Sequence, residues 1–163
     1  MRVIVACVGR AKNTPEQELC DTYLARARTI GPKLGFSRID LCIADTARGP
    51  TPQARQREEA KKLAKHIPQG AFRIVLDQRG GALSSESFAQ ELARRRDAGT
   101  RDIGFAIGGP DGLPEGFRQG ADLCLSLGLQ TWPHLLVRAM LAEQLYRAFS
   151  ILAGHPYHRA GGR

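Results

Sequence analysis

The sequence lacks the features that mark several large classes of protein. No apolar run reaches the roughly 18 to 20 residues that a membrane-spanning helix needs, because charged residues interrupt even the most apolar segment, 135–152. The apolar start, 1–8, is followed by Gly9 and Arg10 and not by a small-residue cleavage site, which is unlike a secretory leader. We therefore expect a cytoplasmic protein that has no membrane partner.

Cysteine is also scarce, and the cysteine residues form no recognisable motif. None belongs to a Cys-x-x-Cys pair, the spacing typical of zinc and redox sites. Each lies in an apolar stretch, so we expect free, buried thiols in a reducing compartment. These residues are Cys7, Cys20, Cys42 and Cys124.

Positive charge, by contrast, is abundant and unevenly distributed. The formal net charge of +8 favours a polyanionic partner such as nucleic acid. Residues 1–100 contain 18 Lys and Arg against 11 Asp and Glu, whereas residues 101–163 contain 6 against 5. A predicted helix over 53–66 presents a basic face, and a turn-rich, mobile loop is predicted over 45–52. These charges either contact RNA or are ordinary solubilising charges.

Hydrophobic periodicity indicates the fold class. Short, apolar, β-branched runs predict buried strands of a parallel sheet at 3–8, 39–43, 72–76, 103–107 and 123–127. Helical patterns lie between or after them, at 15–30, 53–66, 84–96 and 133–152. This alternation predicts one α/β domain, 1–163, with a mostly parallel sheet and helices on both faces.

A glycine-rich turn, Gly108-Gly109-Pro110-Asp111-Gly112, follows the fourth predicted strand. It lies at the carboxyl edge of the sheet, where open α/β sheets bind ligands. Glycine leaves no Cβ between backbone and ligand, so backbone groups here could contact a nucleoside. The spacing is not the dinucleotide fingerprint Gly-x-Gly-x-x-Gly, so an NAD site is not expected. An ordinary tight turn is the alternative.

A second glycine-containing loop, 128–134, follows the fifth predicted strand. Two such loops at strand ends could hold an adenine between apolar side chains. The helix after this loop is apolar around most of its circumference, whereas a surface helix needs only one apolar stripe. We expect a homodimer interface to cover it, and the alternative is that it packs entirely within its own subunit.

The order of motifs in the C-terminal third resembles that of one enzyme family. The residues that carry the resemblance are GGPDGL at 108–113, LSL at 125–127, TxPHxLVR at 131–138, EQLYRA at 143–148 and HPYHR at 155–159. They resemble the bacterial 23S ribosomal RNA pseudouridine-N3 methyltransferases of the SPOUT class, over nearly the whole chain. The resemblance implies a SPOUT fold with a C-terminal trefoil knot, an exception to the rule that chains do not thread loops.

The resemblance also implies the ligands and partners. It implies S-adenosyl-L-methionine (SAM) as cofactor, a homodimer, and 23S ribosomal RNA, within the ribosome, as substrate. Carried over by position, the SAM contacts fall at Leu76, at Gly108 and along the loop after the fifth strand. That loop contributes Leu127, Gly128, Leu129, Gln130, Thr131 and Trp132. Trp132 stands where an aliphatic residue is common in the family, so it either walls the adenine pocket or crowds it.

The C-terminal tail offers titratable groups for catalysis. Methylation at N3 of pseudouridine requires loss of an imide proton and in-line attack of nitrogen on a methyl carbon. We expect Tyr157 and His158 to hold the base and assist deprotonation, and Arg159 to bind a phosphate or a base carbonyl. In one alternative, His155 and His158 ligate a metal, but no acidic or cysteine residue lies nearby and we predict no metal site. In another, the tail only docks the C-terminus.

Two functions of other classes compete with a methyltransferase. A non-catalytic RNA-binding factor would account for the basic first hundred residues, but it has no use for two glycine loops at strand ends. Another nucleotide-using α/β enzyme would need the fingerprint that the sequence lacks. SAM binding by the purified protein tests the first alternative, and a knotted C-terminus tests the second.

Overall fold

Strands and helices alternate along residues 1–158, which the computed structural model describes. The strands are β1 (Arg2–Val8), β2 (Arg38–Ala44), β3 (Phe72–Ala82), β4 (Asp102–Ile107) and β5 (Leu123–Ser126). The helices are α1 (Pro15–Ile30), α2 (Pro52–His66), α3 (Ser85–Asp97), α4 (Glu115–Gln119) and α5 (His134–Leu152). Neighbouring strands are all parallel, in the order β2-β1-β4-β3-β5. The predicted α/β fold is confirmed, and the knot stays a prediction.

Helices cover both faces of the sheet because successive side chains of a strand point in opposite directions. In β1, Val3 and Val5 pack into the larger core, together with residues of α1, α3 and α5. Ala6 and Val8 point the other way and pack into a smaller core that includes Leu63 of α2. Both faces of the sheet are therefore buried, as the continuous apolar strand runs predicted.

Hydroxyl caps start three of the helices where the sequence predicted them. Thr14 accepts a hydrogen bond from the Gln17 N–H ahead of α1, Thr51 does the same ahead of α2, and Ser84 ahead of α3. Helix α5 begins after Pro133 without a side-chain cap. Its first turn therefore keeps unpaired backbone N–H groups.

Helix α5 is covered largely by its own chain. It packs along α1 and α3, and Leu141 and Phe149 are fully buried. Phe149 stacks on Phe36 with ring centroids 4.4 Å apart. Packing within the subunit therefore accounts for much of the helix, whereas Leu136 and Met140 stay half-exposed. Neither α5 nor any other helix in the described part of the chain is long and apolar enough to cross a membrane.

Strand β3 is longer than predicted because it resumes after an outward loop. Its pairing with β5 shifts from Leu76–Leu125 to Gly81–Leu125, so residues 77–80 leave the ladder. A Cβ on Gly80 would stand 2.5 Å from the carbonyl oxygen of Cys124. Only glycine permits this approach of the two backbones, and the approach places the 77–80 loop at the carboxyl edge of the sheet.

The loop before α2, predicted to be mobile, is held by side chains of that helix. Ala47 is buried and donates its N–H to the Glu59 carboxylate at 2.9 Å. Arg55 donates to the Gly49 carbonyl at 3.0 Å. These contacts define the course of a segment whose composition alone predicts mobility.

All four cysteines are free, as predicted. Cys7 and Cys20 are buried, and burial raises the pKa of Cys7 to about 11 and that of Cys20 to about 12. Neither thiol is a nucleophile at neutral pH. The prediction of burial is wrong for Cys42 and Cys124, which are half-buried.

Candidate active site

A cavity of about 560 Å³ opens at the carboxyl edge of the sheet, where β3, β4 and β5 end. Its size is typical of small-ligand pockets. Its walls come from the segments 76–79 and 107–113 and from the loop between β5 and α5. Leu129 does not line the cavity and is 95% exposed. The other residues predicted to contact SAM all line it: Leu76, Gly108, Leu127, Gly128, Gln130, Thr131 and Trp132.

The glycine turn after β4 is closed by contacts within its own backbone. The Gly112 N–H donates to the Gly109 carbonyl at 2.9 Å. A Cβ on Gly108 would lie 2.8 Å from the Gly112 carbonyl carbon and 2.9 Å from the Leu113 side chain. The missing Cβ of Gly108 makes room for the turn to fold back on itself, and the contact of Gly108 with SAM stays a prediction. A side chain at Gly108 would therefore displace the cavity wall.

The loop after β5 is shaped by one glycine and two side-chain hydrogen bonds. Gly128 has a φ of +122°, which residues with side chains rarely adopt. The Ser126 hydroxyl donates to the Gly128 carbonyl at 2.7 Å, and the Thr131 hydroxyl donates to the Gln78 amide oxygen at 2.8 Å. The second bond joins this loop to the 77–80 loop of β3. Trp132 lines the cavity and is 38% exposed, so its indole faces both the cavity and solvent.

Two carboxylates on the cavity wall were not given a role by sequence reasoning. Asp77 accepts a 2.9 Å hydrogen bond from Arg79 and lies 3.6 Å from Arg118. Burial favours a higher pKa for Asp77, but the hydrogen bonds from Arg79 and the charges of both arginines outweigh it, and the pKa is lowered. Arg55 donates to Asp111 at 2.7 and 3.1 Å and lowers the pKa of Asp111. Both carboxylates are ionised at neutral pH.

His134, the first residue of α5, also lines the cavity. Burial and the positive charge of Arg138 lower the pKa of His134, and Glu59 opposes them only partly. The imidazole is therefore neutral at neutral pH. Arg138 is itself fully buried and donates to the carbonyls of Val8 (3.3 Å) and Gly9 (2.8 Å). This guanidinium fixes the start of α5 to the end of β1.

Tyr157, predicted to be catalytic, docks on its own subunit. Its hydroxyl donates to the Glu143 carboxylate at 3.0 Å, and its ring packs on Tyr146 with centroids 4.5 Å apart. Burial and the hydrogen bonds to Tyr23 and Glu143 raise the pKa of Tyr157 above its usual value. The phenol therefore stays protonated at neutral pH and can donate a hydrogen bond, but it is a poor base.

His158 docks beside Tyr157. Its Nε2 lies 2.9 Å from the Glu86 carboxylate, and its Nδ1 is buried with no hydrogen-bond partner among the described residues. Neither His158 nor Tyr157 lines the cavity at the sheet edge. Arg159 lies outside the described residues. The contacts of the tail agree with the docking alternative, and its catalytic role stays a prediction.

A second, apolar cavity of about 600 Å³ shares a wall with the first. Leu125, Leu127 and Gly128 line both cavities. The rest of its wall comes mainly from α1, α3 and α5, and it includes Tyr23 and Glu143, the two hydrogen-bond partners of Tyr157. The docked tail therefore lies beside this second cavity.

The chain belongs to the SPOUT methyltransferase family. The model of that family, described as "Predicted SPOUT methyltransferase", matches residues 1–158. Within that family it is similar to proteins named ribosomal RNA large subunit methyltransferase H. The relative from Brucella anthropi is 49% identical over 160 residues, which cover 98% of this chain and 100% of the relative. The relative from Paracoccus denitrificans is 50% identical over 159 residues, which cover 98% and 99%.

A similar solved structure is that of TrmJ from Z. mobilis ZM4. The match covers 98% of this chain and 71% of that chain, with 15% sequence identity and a TM-score of 0.45.

Proposed function

We propose that this protein transfers a methyl group from SAM to 23S ribosomal RNA, at N3 of a pseudouridine, in the cytoplasm. The observation that carries the proposal is the cavity at the carboxyl edge of the sheet, where three separate segments bring together the residues that the family resemblance assigns to SAM. The names of the relatives, which match this chain over nearly its full length at 49 to 50% identity, support ribosomal RNA as the substrate. The pseudouridine rests on the resemblance of the motifs.

The residues of the first cavity fit SAM. Apolar side chains, among them Leu76, Leu127 and Trp132, suit the adenine, and the backbone of the Gly108 turn can contact its edge. SAM carries cationic sulfonium and ammonium groups and an anionic carboxylate, and the same wall holds both kinds of partner: the carboxylates of Asp77 and Asp111 and the guanidinium of Arg79. Bound there, SAM supplies an activated methyl group with a good leaving group. The contribution of the protein is mainly alignment.

The tail residues supply hydrogen bonding and proton transfer in this proposal. Tyr157, held protonated, donates a hydrogen bond to the target base. The Glu86 carboxylate accepts a hydrogen bond from the Nε2–H of His158, so Nδ1 carries the lone pair that accepts the imide proton. Arg159 binds a phosphate or a base carbonyl. Because neither Tyr157 nor His158 lines the SAM cavity, the tail must either leave Glu143 during the reaction or act on the cavity of a partner subunit.

A homodimer forms part of the proposal. The second cavity is largely apolar, and the half-exposed Leu136 and Met140 of α5 line it together with the exposed Leu19 and Leu83. Apolar surface of this kind is typical of subunit interfaces. Light scattering should give the mass of two chains, and Met140→Glu should shift it toward that of one.

The proposal is tested by cofactor binding and by product mapping. Trp132 is the only tryptophan, and it lines the proposed SAM site, so titration with SAM should change the intrinsic fluorescence. Tritium from methyl-labelled SAM should enter the 23S RNA of ribosomes from a strain that lacks the gene. Mass mapping should place the label on one pseudouridine. If the protein neither binds SAM nor labels ribosomal RNA, the proposed function is wrong.

A further inference from the structure

Helix α2 carries a row of exposed cations. Arg57, Lys61 and Lys65 recur every four residues, so they lie along one side of the helix, and all three are exposed. Glu58 is the exposed acidic residue of α2, and its carboxylate lies 3.9 Å from the Lys61 ammonium in an open setting. Such a pair contributes little to stability. We call Arg57, Lys61 and Lys65 the α2 basic face.

The requirements of the helix do not explain Arg57 and Lys61, the two cations of this row that lie before the last turn. Like charges four residues apart destabilise a helix by about 0.2 to 0.5 kcal/mol per pair. Lys65 lies in the last turn, where the helix favours positive charge, but Arg57 and Lys61 gain nothing from the ends of the helix. The pattern therefore costs stability, which is expected of a surface maintained for binding.

Helix α3 shows what structural cations look like in the same protein. Arg94 and Arg95 pair with Glu91, and Arg96 pairs with Asp97, at the C-terminal end where positive charge is favourable. The guanidinium of Arg95 also lies 3.7 Å from the centre of the Phe72 ring. The arginines of α3 therefore contact other side chains of the same chain. By contrast, Arg57 and Lys65 have no acidic partner within 4 Å in the described part of the chain.

The α2 basic face is fixed relative to the SAM cavity. Arg55, in the same helix, forms the two-bond ion pair with Asp111 of the cavity wall. The Gln56 amide donates to the Asp111 backbone carbonyl. A ligand bound to α2 is therefore kept in a defined position relative to the cavity.

We propose that the α2 basic face binds the phosphate backbone of the ribosomal RNA and positions it for reaction at the cavity. The inference rests on the proposed function, since it assumes an RNA substrate. Residues four apart in a helix are separated by about 6 Å along its axis, which suits successive phosphates of one strand. Lys and Arg bind such a chain by releasing its condensed counterions, and the contact carries no base specificity.

The test compares two pairs of substitutions that change the charge equally. Lys61→Glu with Lys65→Glu alters the α2 basic face. Lys33→Glu with Arg101→Glu alters two exposed cations that precede β2 and β4, at the opposite edge of the sheet. Methyl transfer to ribosomes from the gene-deleted strain, SAM affinity and the thermal unfolding midpoint are measured for each full-length protein.

We expect the α2 pair to raise KM for ribosomes on the order of tenfold, with kcat, SAM affinity and the unfolding midpoint unchanged. Filter binding to protein-free 23S RNA should weaken as well, and the slope of log affinity against log salt should become shallower by about 1 per lost phosphate contact. The control pair should behave like the unaltered protein.

Four results would overturn the assignment. If KM is unchanged in the α2 pair and methyl transfer is intact, the α2 basic face does not bind the RNA, whereas the proposed function is unaffected. An equal effect of both pairs shows a general charge effect. A raised KM for ribosomes with full affinity for protein-free 23S RNA assigns the surface to an acidic ribosomal protein. If the unaltered chain does not bind SAM at all, the proposed function fails, and the RNA contact fails with it.

Discussion

The Tyr157 hydroxyl donates a 3.0 Å hydrogen bond to the Glu143 carboxylate and so fastens the C-terminal tail to the middle of α5. Glu143 also accepts from Arg147 one turn later, so its carboxylate is shared between a cation and a phenol. Because Glu143 lines the second cavity, this contact places the tail beside that cavity. Whether Tyr157 works in catalysis or only in docking can be separated by experiment.

Tyr157→Phe should lower kcat at least about tenfold, because it removes the hydroxyl that we propose holds the target base. His158→Ala should do the same through loss of the proton acceptor. SAM affinity, measured by isothermal titration, should stay nearly unchanged in both, since neither side chain lines the cavity that we propose for SAM. Normal turnover in both variants would show that the tail has no catalytic role and only docks the C-terminus.

Gly108→Val should weaken SAM binding at least about tenfold. The new side chain collides with the Gly112 carbonyl carbon at 2.8 Å, and overpacking of this kind costs about 1 to 3 kcal/mol. The matched control is Gly116→Ala, because a Cβ there meets nothing within 4 Å and the backbone φ is ordinary. Titration calorimetry that gives the unaltered SAM affinity for Gly108→Val would exclude the turn from the cofactor site.

The stability of the protein should fall between pH 7.5 and 5.5, in part through His134. Its pKa is lowered from 6.5 in the folded state, so below pH 6.5 the unfolded chain binds a proton that the folded chain does not. Stability therefore rises with pH through this window and is lost as pH falls. Urea unfolding of His134→Gln should show a shallower pH dependence, whereas the exposed His66→Gln should match the unaltered protein. Equal slopes in all three proteins would contradict the prediction.

Glu59→Ala should lower the free energy of unfolding by about 1 to 3 kcal/mol, because it leaves the buried Ala47 N–H without an acceptor. Glu59→Gln keeps a carbonyl oxygen for that bond and should cost less. Hydrogen exchange at the Ala47 amide should accelerate in the alanine variant only. Equal exchange rates in the two variants would show that Glu59 does not hold the loop.

The sequence predicted the strands and helices well because their signals are local. The cap at Thr14 and the apolar run before Gly108 each lie within a few residues of the element that they define. The burial of Arg138 was not predictable in this way. Its partners are the carbonyls of Val8 and Gly9, about 130 residues earlier, and only the packed fold shows that those carbonyls need a donor.

For the cavity, the resemblance placed the SAM residues at strand ends that the structure brings together. It included Asp77 but gave this residue no role, although its position directly after the predicted strand 72–76 is a signal that could have suggested one. The missing Cβ of Gly108 was assigned to ligand contact alone, whereas the close return of the turn onto Gly112 also requires it, and residue order does not show that geometry. The tail was judged by its chemistry alone, and its docking on Glu143 depends on how α5 presents that side chain.

The parallel sheet has a practical consequence for work on this protein. Since the carboxyl ends of the strands lie at one edge, the turns that lead into β3 and β4 lie at the other. Gly70 and Gly99 occupy these turns with positive φ, and a Cβ on either residue would meet no atom within 4 Å. A fluorophore or an affinity tag inserted at either turn should leave cofactor binding intact, so the enzyme can be immobilised or labelled from the edge that faces away from its chemistry.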